Sequence, residues 1–147
     1  MKALRLFAIA SVLSAQTAAI EHPEAAEQFL TERLSVWRQR LNLEDWQISV
    51  VMAHRYEMKP GTLGSIRWDK PKKKALLSVL HVSDYHMPGC EMLDDLEFTI
   101  VHELLHLGLA SRSRGDASRE TEERAVNQIA KALIALDKAA SGGVRCP

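Results

Sequence analysis

The sequence has little of three features that would assign a small protein to a specialised class. Its two cysteines, Cys90 and Cys146, lie far apart, and the C-x-x-C spacing of many metal and redox motifs is missing. The formal net charge is zero, so no overall charge favours nucleic acid or an anionic membrane. No apolar run reaches the roughly 20 residues of a membrane span. What is left is an ordinary globular composition, with 46% hydrophobic and 26% charged residues, in a chain long enough for one domain with a real core.

The first twenty residues differ from the rest of the chain. Lys2 and Arg5 are followed by an apolar stretch and then by small residues, which is the plan of a secretory signal peptide. We therefore predict a signal peptide over 1–19, an exported domain over 20–140 and a short tail over 141–147, without stable membrane association after cleavage. Export would allow one disulfide between the two cysteines. The alternative is a cytoplasmic protein with an N-terminal amphipathic helix and two unrelated thiols.

The central motif is His-Glu-x-x-His, formed by His102, Glu103 and His106. At about 3.6 residues per turn, the two imidazoles project from one face of a helix, with the carboxylate beside them. Aliphatic residues surround the motif on nearly all sides, which predicts a buried helix. Buried imidazoles and a carboxylate are costly without partners, and a metal is a suitable partner. The motif thus predicts one zinc ion per chain, with Glu103 placed to act on water.

Helices and strands can be assigned from periodicity on both sides of this motif. Pro23 begins a helix that runs to about Leu41, with a buried stripe at Leu30, Leu34, Trp37 and Leu41. We expect Arg33, Arg38 and Arg40 to be solvated. Alternating patterns predict three strands in a small sheet that contains antiparallel pairs: Trp46–Met52, Leu63–Trp68 and Ala75–His81. Asp94 or Asp95 is a suitable N-cap for the zinc helix.

The last helix, predicted from about Ser118 to Ala139, supplies the third zinc ligand. Its apolar residues Val126, Ile129, Leu133 and Leu136 recur at helical spacing, and one turn further back the same stripe reaches Glu122. A carboxylate on a core-facing stripe favours a nearby cation. Glu122 is therefore the predicted ligand, and Glu123 is the alternative because it lies one residue away in helix phase.

These motifs together resemble the minimal gluzincin metallopeptidases, a group that includes the SprT-like and ImmA/IrrE-type domains. The resemblance rests on His-Glu-Leu-Leu-His-Leu, on the later Glu-Glu-Arg-Ala-Val-Asn-Gln-Ile segment, and on the strands Trp-Gln-Ile-Ser-Val and Gly-Ser-Ile-Arg-Trp. It implies an α+β zincin-like fold, zinc ligands His102, His106 and Glu122, and Glu103 as general base. The chain lacks the zinc ribbon and the helix-turn-helix partner of many such proteins. Their DNA-repair and repressor-cleaving roles are therefore not transferred.

The resemblance implies hydrolysis of a peptide or protein by zinc-activated water. An extended substrate could pair with an edge strand, Leu63–Trp68 or Ala75–His81. His81, Tyr85 and His86 are candidates for an extra hydrogen-bond donor to the reacting carbonyl.

Two other functions remain open on the sequence. One is a binding module in which zinc is only structural, although such a site needs no carboxylate at the position of Glu103. The other is a cytosolic SprT-like protease associated with nucleic acid, suggested by the lysine run at 70–74. A lysine run of this kind is more typical of a solvated hairpin tip, so we expect no nucleic-acid partner.

Overall fold

A computed structural model of the chain describes residues 23–110 and 119–142. The predicted signal peptide and Cys146 lie outside the described residues, so export and the disulfide stay predictions. Within the described residues, no helix is both long and apolar enough to span a membrane.

The described residues form an α+β fold of three helices and three strands. In chain order these are α1 (Pro23–Arg40), β1 (Gln47–Ala53), β2 (Gly64–Asp69), β3 (Lys74–Leu80), α2 (Gly89–Ala110) and α3 (Arg119–Ala140). Short 3-10 turns at Arg55–Glu57 and Val82–Asp84 follow β1 and β3. The predicted class and element order are confirmed, and the strand ends agree with the prediction to within one residue.

The sheet is mixed, with β3 between β1 and β2. The β2–β3 hairpin is antiparallel and confirms the expected antiparallel pairing. β1 instead pairs parallel to β3, from Gln47 opposite Lys74 to Ala53 opposite Leu80. The suggestion that Ala75–His81 is an edge strand is therefore wrong, because β3 is hydrogen-bonded on both sides. Alternation along a strand shows which face is buried, but it carries no information about which strand lies next to it.

Helix α2 is the centre of the core and packs against α1, α3, β2 and β3. The side chains of Leu96, Ile100, Leu104 and Leu107 are fully buried, as predicted for the motif helix. Their neighbours in the core include Ala75, Leu77 and Val79 of β3 and Leu30, Leu34 and Trp37 of α1. The predicted stripe of α1 is confirmed at these three α1 positions.

The start of α2 corrects the predicted N-cap. The helix begins at Gly89, where the amide of Met92 donates to the carbonyl of Pro88 at 3.0 Å. Asp94 and Asp95 are therefore inside the helix. Asp94 accepts from Lys138 at 2.6 Å, and Asp95 accepts from the Tyr85 hydroxyl at 2.8 Å. Both aspartates have partners in other parts of the fold, which a local capping pattern could not reveal.

Buried charges join the three helices. Glu97 of α2 accepts hydrogen bonds from Arg33 Nε and Trp37 Nε1, both at 2.7 Å. Asp137 of α3 accepts from Arg33 at 2.8 Å and is also bound by Arg40. The expectation that Arg33 is solvated is thus wrong, since its side chain is 15% exposed and reaches two buried carboxylates. Arg40 is 45% exposed, as expected, although it also binds Asp137.

The buried face of α3 differs from the predicted stripe. Val126, Ala130 and Asp137 are buried, whereas Ile129 and Leu136 are 43% and 68% exposed. The prediction was wrong for Ile129 and Leu136 because it followed the large aliphatic residues. The prediction is confirmed for Val126, and partly buried Leu133 packs against the core. The core face also includes Ala130 and the ion-paired Asp137, which no hydrophobic pattern identifies.

Candidate metal centre

The two histidines of the motif lie one turn apart on α2 and face α3. Their Nε2 atoms are 3.1 Å apart, and each side chain is 16% exposed. Two nitrogen ligands on a tetrahedral zinc, each at about 2.0–2.1 Å, are separated by roughly 3.3 Å. The spacing of the two imidazoles is therefore close to that of a bound pair.

Glu123 brings a carboxylate to the same point. Its Oε2 lies 3.4 Å from Nε2 of His102, and its Oε1 lies 3.4 Å from Nε2 of His106. One ligand atom from each of these three residues lies within 4.8 Å of the other two. Among the residues that the structure describes, this is the only group of three or more such side chains that could hold a metal. We call His102, His106 and Glu123 the metal cluster.

The outer nitrogen of each imidazole has its own partner on α3. Nδ1 of His106 lies 3.2 Å from Oε1 of Glu122, and Nδ1 of His102 lies 3.2 Å from Oδ1 of Asn127. A proton on each Nδ1 satisfies both contacts and leaves the two Nε2 lone pairs directed at Glu123. Three acceptor atoms then converge without a proton between them. Such an arrangement fits a cation, and the nitrogen and oxygen ligands fit zinc.

The structure thus places the predicted ligand Glu122 on the outer nitrogen of His106 and brings Glu123 into the metal cluster. The helix phase explains this. Glu123 lies seven residues before Ala130, on the core face of α3, whereas Glu122 continues the stripe of Ile129 and Leu136 that is exposed. Asn127 was missed altogether, although its position four residues after Glu123 puts both side chains on one face.

Glu103 lies beside the metal cluster and is only 8% exposed. Burial, the largest cause, raises the pKa of its carboxyl to about 7, and a hydrogen bond from the Ile66 backbone opposes the rise. Burial is also the main reason why the pKa of His102 is lowered. Glu103 therefore lies in a poorly hydrated position against strand β2, where the Ile66 backbone binds its carboxylate.

Strand β2 approaches α2 closely at this point. A Cβ atom on Gly64 would lie 2.3 Å from Cγ2 of Thr99 and 3.3 Å from Oε1 of Glu103. Only a residue without a side chain fits here. Gly64 was not singled out in the sequence, yet its close approach brings β2 next to Glu103.

No protein-family profile, curated protein or solved structure matches the chain. The gluzincin resemblance rests on the motif residues alone.

Two of the three candidates for an extra donor have contacts outside the metal cluster, and the third is exposed. His81 contacts Ser83, with Nδ1 2.8 Å from the hydroxyl, and its ring stacks on His54. The Tyr85 hydroxyl donates to Asp95, two turns before Glu103 on α2. His86 is exposed. Beyond the two glutamates, Asn127 is a polar side chain that contacts a histidine of the metal cluster.

The lysines at the hairpin tip have acidic neighbours. Lys72 pairs with Asp69 at 2.9 Å, and Lys73 pairs with Asp45 at 2.8 Å and lies over the Trp46 ring. These contacts favour the interpretation of the run as a solvated turn.

Proposed function

We propose that the chain is a zinc-dependent peptidase that binds one zinc ion through His102, His106 and Glu123. The observation that carries the proposal is the convergence of two Nε2 atoms and a carboxylate while Glu122 and Asn127 bind the outer nitrogens. A solvated set of surface groups has no reason to direct three acceptor atoms at one point. The donor set is that of a catalytic zinc site, with three protein ligands and one open position.

Glu103 is the general base of the proposed reaction. A bound zinc ion polarises the scissile carbonyl and lowers the pKa of water. Glu103 accepts the proton of the attacking water and transfers it to the leaving amine. Its burial against β2 supports this role, because a carboxylate that is only 8% exposed is poorly hydrated and accepts a proton more readily than one in water. Glu122 and Asn127 hold the imidazoles in the orientation that binds the metal.

The substrate in this proposal is an extended peptide that pairs with β2. The amide of Leu80 donates to the carbonyl of Leu63 at 3.0 Å, and in an antiparallel pair alternate residues face the partner strand. Gly64, Ile66 and Trp68 therefore direct their backbone groups to the other side of β2, where the described residues provide no further strand. The Ile66 backbone already donates to Glu103, so the proposed peptide pairs with the backbone groups of Gly64 and Trp68 and lies next to Glu103.

The test combines metal analysis with a hydrolysis assay on casein. We expect one zinc per chain in the wild type and in Glu103→Gln, with hydrolysis only in the wild type, and loss of zinc in Glu123→Ala. A Glu103→Gln variant that still cleaves casein would contradict the role of Glu103. A folded wild type that binds zinc but cleaves nothing would favour the binding module, and one that binds no zinc would end the proposal.

A further inference from the structure

Helix α3 carries a second apolar stripe that faces away from the core. Its members are all exposed and we call them the α3 stripe: Ala125, Ile129, Ala132, Leu136 and Ala139. Leu136 and Ile129 are the large members, at 68% and 43% exposure. A single exposed leucine is common, but here its apolar neighbours on α3 form a continuous exposed strip with it. Such a strip is unusual on a well-packed domain.

The spacing along the α3 stripe is four, three, four and three residues, which is the heptad pattern of helices that pack lengthwise on one another. Size alternates strictly within the pattern. Alanine occupies every second position, at 125, 132 and 139, and the positions between hold isoleucine and leucine. This pattern fits a partner helix that runs antiparallel to α3 and has the same alternation of small and large side chains.

We propose that the α3 stripe is the interface of a symmetric dimer, in which α3 packs antiparallel on α3 of a second copy. In an antiparallel pair the positions that hold alanine on one helix face the positions that hold isoleucine or leucine on the other. Leu136 then meets Ala125 of the second copy, and Ile129 meets its Ala132. Each of these layers contains one large and one small apolar side chain, which is the combination that interdigitates without voids. At both ends of the contact, Ala139 lies opposite Glu122 of the second copy, whose side chain is 25% exposed. A parallel pair would place alanine on alanine and leave gaps.

The charges on α3 are compatible with this contact. The positions that flank the α3 stripe are uncharged from Ala125 to Ala140, including Gln128, Leu133 and Ala135. Depletion of charge at the centre is typical of protein interfaces. Two of the basic side chains on this part of α3 have partners, since Arg124 pairs with Glu120 at 3.0 Å and Lys138 pairs with Asp94 at 2.6 Å. The third, Lys131, is exposed and points about 120° away from the centre of the α3 stripe.

The size of the α3 stripe indicates a weak dimer. Its fifteen residues span about 22 Å of a helix that is about 10 Å wide, so two copies bury on the order of 1,000 Å². That area lies at the lower limit for specific interfaces, and we expect dissociation in the micromolar range.

Sedimentation of the full-length chain over a concentration series tests the dimer. We expect the wild type to associate and Leu136→Glu to raise the dissociation constant at least about tenfold, because a carboxylate would be buried against alanine. Lys131→Glu is the matched control, since it adds the same side chain to the same helix away from the α3 stripe. Circular dichroism confirms that both variants are folded. A wild type that stays monomeric, or one whose association is unchanged in Leu136→Glu, overturns the proposal.

Cysteine cross-linking then tests the direction of the helices. Ala125→Cys and Leu136→Cys are prepared separately, mixed and oxidised beside the wild type, which controls for the two native cysteines. The antiparallel pair predicts a cross-link that forms at least about tenfold more in the mixture than in either variant alone, since only the mixture brings the two new thiols within disulfide reach. A cross-link of Ala125→Cys with itself would require the parallel pair and contradict the proposal. A monomer that Leu136→Glu destabilises would mean that another part of the same chain covers the α3 stripe, which also overturns it.

Discussion

Glu122 and Glu123 are neighbours in the chain and lie on opposite nitrogens of the same imidazole. Glu122 is 3.2 Å from Nδ1 of His106, and Glu123 is 3.4 Å from Nε2. One residue of helix rotation, about 100°, separates the two side chains. In our proposal this rotation separates a metal ligand from the residue that orients another ligand, and the two roles predict different mutant phenotypes.

We expect Glu122→Ala to keep zinc but to bind it about 10–100 times more weakly, because His106 loses the carboxylate that orients its ring. Glu123→Ala should lose stoichiometric zinc. Competition with a chromophoric chelator measures both affinities. Glu120→Ala is the control, since Glu120 is exposed and pairs only with Arg124 among the described contacts. Equal losses in Glu122→Ala and Glu123→Ala would contradict the separation of roles.

The contact between β2 and α2 predicts a sharp steric effect at Gly64. Gly64→Ala should destabilise the protein by about 1–3 kcal/mol, because the new methyl group meets Cγ2 of Thr99 at 2.3 Å. Urea unfolding measures the change. Thr99→Ser removes that methyl, so the double variant should recover most of the loss. Gly108→Ala is the control, since nothing lies within 4 Å of its added Cβ; a similar loss there would contradict the steric explanation.

The buried charges predict a large loss of stability at Glu97. Glu97→Ala should lower the free energy of unfolding by about 3–5 kcal/mol, because Arg33 and Trp37 lose the carboxylate that binds them in the core. Glu97→Gln should cost less, since an amide oxygen can still accept their hydrogen bonds. Chemical denaturation of both variants gives the comparison.

The matched control for Glu97 is again on the surface. Glu120→Ala breaks the exposed pair with Arg124 and should change stability by less than about 1 kcal/mol. If Glu97→Ala cost no more than Glu120→Ala, the network would not contribute to stability.

The environment of Tyr85 predicts that the free energy of unfolding decreases at alkaline pH. Burial and the hydrogen bond to Asp95 raise the pKa of its hydroxyl well above the usual range. The folded protein therefore keeps this proton while the unfolded chain releases it near pH 10. The stabilisation is complete below pH 10 and decreases as the pH rises further, because the unfolded state then binds fewer protons.

Tyr85→Phe removes both the hydrogen bond and the titrating group. It should cost about 1–2 kcal/mol at pH 7, and the difference from the wild type should shrink above pH 10. Thermal unfolding from pH 7 to pH 11 measures this. Casein hydrolysis at pH 7 should be unchanged, since Asp95, which the Tyr85 hydroxyl binds, lies two turns of α2 before Glu103; a large loss of activity in the folded variant would place Tyr85 in the reaction after all.

Much of the fold could be predicted because its signals are local. The stripe of α1, the three strands and the burial of α2 depend on periodic side chains whose burial is the main driving force of folding. The pairing of His102 and His106 is local as well, since four residues of helix bring them to one face. For the same reason Glu103 could be placed next to them.

What the pattern could not predict depends on contacts between distant segments. β1 lies parallel to β3 because the chain crosses from one to the other through β2, and no single strand carries that information. Asp94 and Asp95 were wrongly predicted as helix caps. Their actual partners, Lys138 and Tyr85, lie in other parts of the chain, which a local pattern does not show. Arg33 was expected in water because Glu97 and Asp137, its partners, are 64 and 104 residues away.

Helix α3 shows most clearly which features depend on the sequence alone and which depend on the tertiary structure. Its amino-acid sequence determined by itself that a helix with two adjacent glutamates follows the His-Glu-x-x-His segment, because propensity and periodicity are properties of neighbouring residues. Only the tertiary structure decided which face of that helix is buried. Asp137 faces the core to meet Arg33, and this rotates Glu123 towards the two Nε2 atoms and Ile129 and Leu136 towards solvent. The energy of that ion pair depends on three helices at once, so it could not be read from any one of them.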